Sequence, residues 1–210
     1  NETIQGIQIK DEPNFESPIF VDMSSCLFSE DIDVSKYDFI YACAQKNFGP
    51  AGITLVIAKK ELISKSNPEL PNILRYDAHA SEKSMLNTPN TFGWYVAGKM
   101  FDWYTKEGGI KKMEERSIKK SDALYSLIDS SDFYINPVNR EQRSICNVVF
   151  TLSNPDLDNN FLEESDAQGL KYLKGHRTVG GMRASIYNSL PIESVESLVD
   201  FMRSFETKYG

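Results

Sequence analysis

Apolar and polar positions alternate in blocks whose period changes along the chain. Ile19-Phe20-Val21 is a short apolar run that ends at Asp22 and Ser24-Ser25, the pattern of a buried strand releasing polar groups at its C-terminal edge. Phe39 to Ala44 ends the same way at Gln45-Lys46-Asn47, and the β-branched run Ile53 to Ala58 turns into Lys59-Lys60-Glu61. Three such strands, with the loop Gly49-Pro50-Ala51-Gly52 between the last two, predict an α/β sheet whose ligands sit outside the strand ends.

Further on the period becomes helical. Phe92, Tyr95, Val96, Met100 and Trp103 lie on one face of a helix over 92–104, and Gly108-Gly109 supplies its stop. Ile110, Met113, Ser117, Ser121, Leu124 and Ile128 recur in steps of three and four, a second long helix with small serines in mid-stripe. The Gly-Gly pair is the expected domain boundary, dividing the chain into 1–107 and 108–210. Beyond it, Cys146, Val148, Phe150 and Leu152 alternate as a half-buried strand. A helix around Phe161 to Leu173, a Gly-rich passage Gly175 to Arg183 and a short strand Ala184 to Tyr187 follow. The closing helix has Pro191 near its start and Val195, Leu198, Val199, Met202 and Phe205 on one face. That order makes a small α+β domain.

Composition narrows the function. A chain of 210 residues, 40% hydrophobic, can bury a substantial core. With net charge -7, whole-chain attraction to nucleic acid or anionic lipid is not expected. No apolar run approaches the roughly 20 residues that span a bilayer, and the start shows no signal pattern. Cys26, Cys43 and Cys146 are scattered and form no C-x-x-C pair, which argues against a disulfide framework or a zinc site and for a cytoplasmic protein.

In this acidic background a few residues stand out. Lys46 would emerge at the ligand-binding edge of the sheet, where a desolvated amine can condense with an aldehyde; taken alone, it reads more readily as one of many surface lysines. Asp22, at the preceding strand end, is the carboxylate that a pyridoxal ring nitrogen needs, or a cap on the Ser-Ser turn. His176, Arg177 and Arg183 gather cations on a Gly-rich loop, suited to carboxylate and phosphate, or simply solvated. Asn87-Thr88-Pro89 precedes the helix at Phe92 and reads as a cap or as a phosphate-receiving helix N-terminus. His79 reads as a surface or packing residue.

Asp22-Met23-Ser24-Ser25, Ala44-Gln45-Lys46-Asn47-x-Gly49-Pro50-Ala51-Gly52, Ser84-x-x-Asn87-Thr88-Pro89 and Gly175-His176-Arg177-x-x-Gly180-Gly181-Met182-Arg183-Ala184-Ser185 resemble, in order and over essentially the whole chain, the phosphoserine aminotransferases of class V. The resemblance implies a fold-type-I pyridoxal-5'-phosphate enzyme, of which this chain is the C-terminal part of the large, mainly parallel-sheet domain followed by a small α+β domain. It implies a cytoplasmic homodimer that moves an amino group between glutamate and 3-phosphohydroxypyruvate to make phosphoserine; some members also act on a phosphorylated hydroxythreonine on the route to pyridoxal phosphate. By the same resemblance Lys46 would carry the cofactor and then move the substrate α-proton, Asp22 would pair with the ring nitrogen, Thr3 would bond the phenolic oxygen and Gln45 would hold the cofactor phosphate. Asn87 and Thr88 would reach that phosphate from the neighbouring subunit. His176 and Arg177 would contact the substrate phosphate and Arg183 its α-carboxylate.

Two positions depart from the family pattern: Cys43 replaces an expected glycine and Asn90 an expected second proline. The family's chain also extends before Asn1, with a phosphate-binding turn, a ring-stacking aromatic residue and a substrate arginine. The 210 residues alone are therefore expected to be an inactive fragment. Two other readings stay open: a different class V aminotransferase or a desulfurase, which would need a mobile nucleophilic cysteine, and a non-catalytic module that keeps the scaffold.

Overall fold

The computed structural model describes residues 1–10 and 15–210. Its elements run β1 (Phe20–Asp22), β2 (Phe39–Cys43), β3 (Thr54–Ala58), α1 (Lys60–Ile63), α2 (Tyr76–Ser81), α3 (Thr91–Lys106), α4 (Gly109–Asp129), β4 (Tyr134–Ile135), β5 (Asn147–Leu152), α5 (Asp158–Ala167), β6 (Met182–Ser185) and α6 (Ile192–Tyr209), with short 3-10 turns between some of them. They form two three-stranded sheets, β1-β2-β3 and β4-β5-β6.

In the first sheet β1 runs parallel to β2, with Asp22 opposite Tyr41. Both strands therefore empty at one edge, and this puts Asp22 beside the turn that carries Lys46. The expectation that β3 empties there too does not hold: β2 and β3 are antiparallel, with Cys43 opposite Thr54. The reason is connectivity. Only residues 44–53 join them, with no crossover helix, and a link that short can only return antiparallel. Lys59 and Lys60 accordingly leave at the far edge. The strands are also less uniformly buried than expected: central β2 is covered at Phe39, Ile40 and Ala42, while β1 and β3 are half-covered.

The two long helices form as the spacing predicts. At the start of α3 the cap is Asn90, whose Oδ1 accepts from Gly93 N–H at 3.0 Å, so the asparagine in place of the expected proline supplies the cap itself. Gly108 and Gly109, at φ 100° and 77°, break the rod in the left-handed region. The stripe of α4 is buried from Met113 through Ser117, Ser121 and Leu124 to Ile128, and it also buries Lys120. α5 stops at Ala167, short of the predicted Leu173, because Gly169 turns the chain at φ 85°.

β5 is buried on both faces rather than half-buried. On one side Val148, Phe150 and Leu152 join a core with α4 and α6, in which Val195, Leu198, Val199, Met202 and Phe205 all take part. Phe161 makes edge contacts there with Tyr134, Phe150, Phe201 and Phe205, a geometry that favours the ring quadrupoles. The other side is covered by the first residues of the chain: Ser144 N–H donates to the Gly6 carbonyl at 2.9 Å and Gln8 N–H to that of Gln142 at 2.8 Å. A second core gathers Met23, Ile40, Ala42, Phe48, Ala97, Tyr104 and Met113.

Candidate active site

Lys46 stands on a tight turn just past β2, closed by Phe48 and Gly49 N–H groups donating to the Ala44 carbonyl at 3.0 Å each. Its Nζ donates to Thr3 Oγ1 at 2.5 Å. Thr3 belongs to a hairpin closed by paired bonds between Glu2 and Ile7. Gly6 lets that hairpin lie against β5, since a Cβ there would sit 2.7 Å from the Asn147 carbonyl oxygen.

Asp22 caps its turn and lies within reach of the charge of Lys46. Its Oδ1 accepts from Ser24 N–H at 2.8 Å. Burial pulls its carboxyl up, but bonds from the Ser24 hydroxyl and amide and from Tyr41, with the charge of Lys46, outweigh that and hold it below the ordinary value. Asp22 is thus an ionised acceptor at neutral pH. Ser24 Oγ in turn accepts from Cys43 N–H at 2.9 Å, tying the two strand ends together. Cys43, the other departure from the family pattern, pairs across to Thr54 without disturbing the register. Gln45 is exposed on the same turn.

Arg183 lies on β6 opposite Val149. Its Nε is buried without a hydrogen-bond partner in the protein, a donor that calls for an acceptor. A recess bounded by Ile4, Val149, Gly175, Gly180, Met182 and Arg183 joins the Thr3 hairpin to the Gly-rich loop. On that loop His176 Nδ1 lies 2.8 Å from Thr178 Oγ1, Arg177 is exposed, and the chain reverses through Gly180 and Gly181 at φ 77° and 58°. Gly175 has no alternative, because a Cβ would fall 2.0 Å from the Gly180 carbonyl.

The remaining predicted residues stand apart from this group. Asn87 Nδ2 donates to the Thr88 carbonyl at 3.2 Å and both residues are exposed. His79 is half-buried, with Nε2 3.0 Å from the Ile73 carbonyl. Burial pushes the Cys26 thiol far up and that of Cys146 to about 11, so neither is a nucleophile at neutral pH. This weighs against either of them as the nucleophile that a desulfurase needs. All three cysteines are free, and among the described residues no cluster could hold a metal ion.

Three features were outside sequence reasoning: Tyr41 bonding Asp22 across the sheet, Lys120 buried and pushed down to about 8 by desolvation, and a buried asparagine pair behind Lys46. A signal existed only for Tyr41, whose place in β2 faces the end of β1.

A lysine and a carboxylate thus leave adjacent strand ends of a mixed α/β sheet, and the chain belongs to the class-V aminotransferase family, whose model matches residues 7–198. Within that family the chain is similar to phosphoserine aminotransferases. That of Buchnera aphidicola subsp. Acyrthosiphon pisum (strain Tuc7) is 54% identical over 211 aligned positions, covering 100% of this chain and 58% of the relative. The structure of the enzyme from Bacillus circulans subsp. alkalophilus superposes with a TM-score of 0.96 at 41% identity, covering 100% of this chain and 59% of that one. The pyridoxal-phosphate-bound enzyme from Trichomonas vaginalis gives 0.91 at 37%, covering 97% and 58%. The chain thus spans less than two thirds of the length of these relatives.

Proposed function

We propose that this chain is the lysine-bearing portion of a pyridoxal-5'-phosphate-dependent aminotransferase that exchanges an amino group between glutamate and 3-phosphohydroxypyruvate, giving O-phosphoserine and 2-oxoglutarate for serine synthesis. The observation that carries the reading is the Lys46 amine on the Thr3 hydroxyl, with Asp22 at the neighbouring strand end held ionised.

The donor set fits the cofactor. Lys46 offers an amine to its aldehyde, Asp22 an anion to its ring nitrogen, Thr3 a hydroxyl to its phenolic oxygen, and Gln45 an exposed amide to its phosphate. Pyridoxal phosphate, when bound, supplies an electron sink for charge developing at the substrate α-carbon. Lys46 would hold the cofactor through its amine, and the same Nζ would take the substrate α-proton. Asp22, staying ionised, keeps the ring nitrogen protonated. The unpaired Nε of Arg183 suits the substrate carboxylate, and His176 with Arg177 suit its phosphate, since a guanidinium fork matches both anions.

The domain division at residues 107 and 108, a cytoplasmic location and a homodimer belong to the same proposal. In that dimer Asn87 and Thr88 reach the neighbouring subunit's cofactor phosphate. Support comes from their exposure and from the uncovered Phe92, Trp94 and Tyr95 beside them. Among the described residues no helix is long and apolar enough to cross a membrane.

The test is the visible absorption spectrum of the protein extended to the relatives' length, before and after phosphoserine, beside Lys46→Ala. A yellow band that shifts with phosphoserine and is absent from the variant is expected. A protein that stays colourless with added cofactor would leave only a scaffold.

A further inference from the structure

Behind Lys46 lies a buried polar network that none of the proposed chemistry uses. Asn47, the next residue, is 5% exposed, and every polar atom of its side chain is engaged. Its Nδ2 donates to the Leu27 carbonyl at 3.1 Å and to Ser29 Oγ at 3.2 Å. Its Oδ1 accepts from Asn188 N–H at 3.3 Å, and its own carbonyl accepts from the Tyr104 hydroxyl at 2.6 Å.

Asn188 is equally saturated and belongs to the other sheet's side of the molecule, in the turn between β6 and α6. Its Nδ2 donates to the Phe28 carbonyl at 2.8 Å and to the Tyr104 hydroxyl at 3.1 Å. Its Oδ1 accepts from Ser29 Oγ at 2.8 Å and Ser117 Oγ at 3.3 Å. The turn is fastened again by Lys120, whose Nζ donates to the Tyr187 and Leu190 carbonyls at 2.6 and 3.1 Å. β6, which carries Arg183, runs directly into this turn. The covalent path from Arg183 to Asn188, one hydrogen bond to Asn47 and one peptide bond to Lys46 therefore connect the two groups that must meet one substrate.

A satisfied amide in a dry site is a stiff link, because any displacement strands several buried donors and acceptors at once. Two surfaces held only by apolar packing could slide; two asparagines joined by one bond and both fastened to the segment 27–29 and to Tyr104 cannot. Surface polar contacts would not achieve this, since water would replace them at little cost.

We propose that Asn188 is a positioning residue that clamps the turn carrying Lys46, through Asn47 and Tyr104, and so sets the placement of Lys46 relative to Arg183. The proposal rests on the preceding reading only in taking Lys46 and Arg183 to act on the same substrate.

The test uses the cofactor-loaded protein at the relatives' length and compares wild type with Asn188→Ala and with Tyr104→Phe, which removes one hydroxyl and keeps the ring. Hydrogen exchange is followed for the segment 44–49 and for the distant segment 201–205 of α6. Asn188→Ala keeps the N–H bond to Asn47 but removes the side-chain bonds to Phe28, Ser29, Tyr104 and Ser117, and so should speed exchange over 44–49 by about tenfold and lower kcat with phosphoserine by about as much, with cofactor retained and 201–205 unchanged. Tyr104→Phe should move the same two readouts in the same direction by less, and it carries the test alone if Asn188→Ala does not fold. Exchange over 44–49 within twofold of wild type, or loosened equally in both segments, would overturn the clamp. A protein that takes up no pyridoxal phosphate would sink the preceding reading, while the exchange comparison, made then without cofactor, still decides whether Asn188 holds the Lys46 turn.

Discussion

Gly6 offers the sharpest test of how the first residues of the chain are seated. It lies in the hairpin that presents Thr3 to Lys46, at φ +69°, and a Cβ there would meet the Asn147 carbonyl oxygen at 2.7 Å and both Val149 γ-methyls at 3.2 Å. Gly6→Ala therefore incurs two costs. A left-handed backbone at a non-glycine residue costs about 1–2 kcal/mol, and forcing a methyl into packed backbone and side chain costs about 1–3 kcal/mol more. The expected loss is about 3 kcal/mol, or roughly 6–12 °C in Tm for a chain of this size. Gly98→Ala is the contrast, because Gly98 lies inside α3 with nothing within 4 Å of its Cβ. It should gain about 0.5–1 kcal/mol by reducing backbone entropy. Gly6→Asn separates the two costs, since asparagine tolerates the left-handed region but brings the same Cβ, and should fall between alanine and wild type. Urea denaturation of the three variants measures all of this. Gly6→Ala as stable as wild type would show that the hairpin is not pressed on β5 as described, and the route by which Thr3 reaches Lys46 would fall with it.

Two further outcomes follow from buried charges. Lys120 is held near 8 by burial, well below a free lysine at 10.5, so between those values the unfolded chain binds the extra proton and the folded protein gains stability as pH rises. The stability of wild type relative to Lys120→Met should therefore increase by about 1 kcal/mol from pH 8 to 9; a difference flat in pH, read from denaturation at both, would mean the amine is not desolvated. Arg143 forks onto Asp129 with two bonds of 2.8 Å and lies 4.8 Å over the Tyr125 ring. Lysine keeps the charge but loses fork and stack, so Arg143→Lys should cost about 1–3 kcal/mol in thermal or urea unfolding. Arg143 also holds the Asp129 carboxyl below its ordinary value, so this contribution is present at neutral pH and fades as pH falls through that lowered value, and an acid titration that leaves the variant's deficit unchanged would contradict it.

The local signals in the chain were sufficient for elements and chemical groups. Helical spacing placed α4 and α6 because each buries the face it marks, and a period is written into the sequence of any such helix; α3 forms too, but it buries Gly93, Ala97 and Tyr104 and leaves Phe92 and Tyr95 of the expected stripe exposed. That Asp22 and Lys46 stand at neighbouring strand ends was legible because apolar runs ending in polar residues mark such ends. The direction of β3, the two-sided burial of β5 and the cap at Asn90 emerged only with tertiary structure. β5 alternates as a half-buried strand does, yet its second face is closed by a hairpin more than a hundred residues earlier, as the seat of Gly6 against the Asn147 carbonyl and the Val149 methyls shows. Asn188 and Asn47 are equally silent in sequence. An asparagine reads as a turn residue wherever it stands, and whether its amide faces water or four buried partners depends on chain segments that only folding brings together, where the low dielectric makes each unmet hydrogen bond costly.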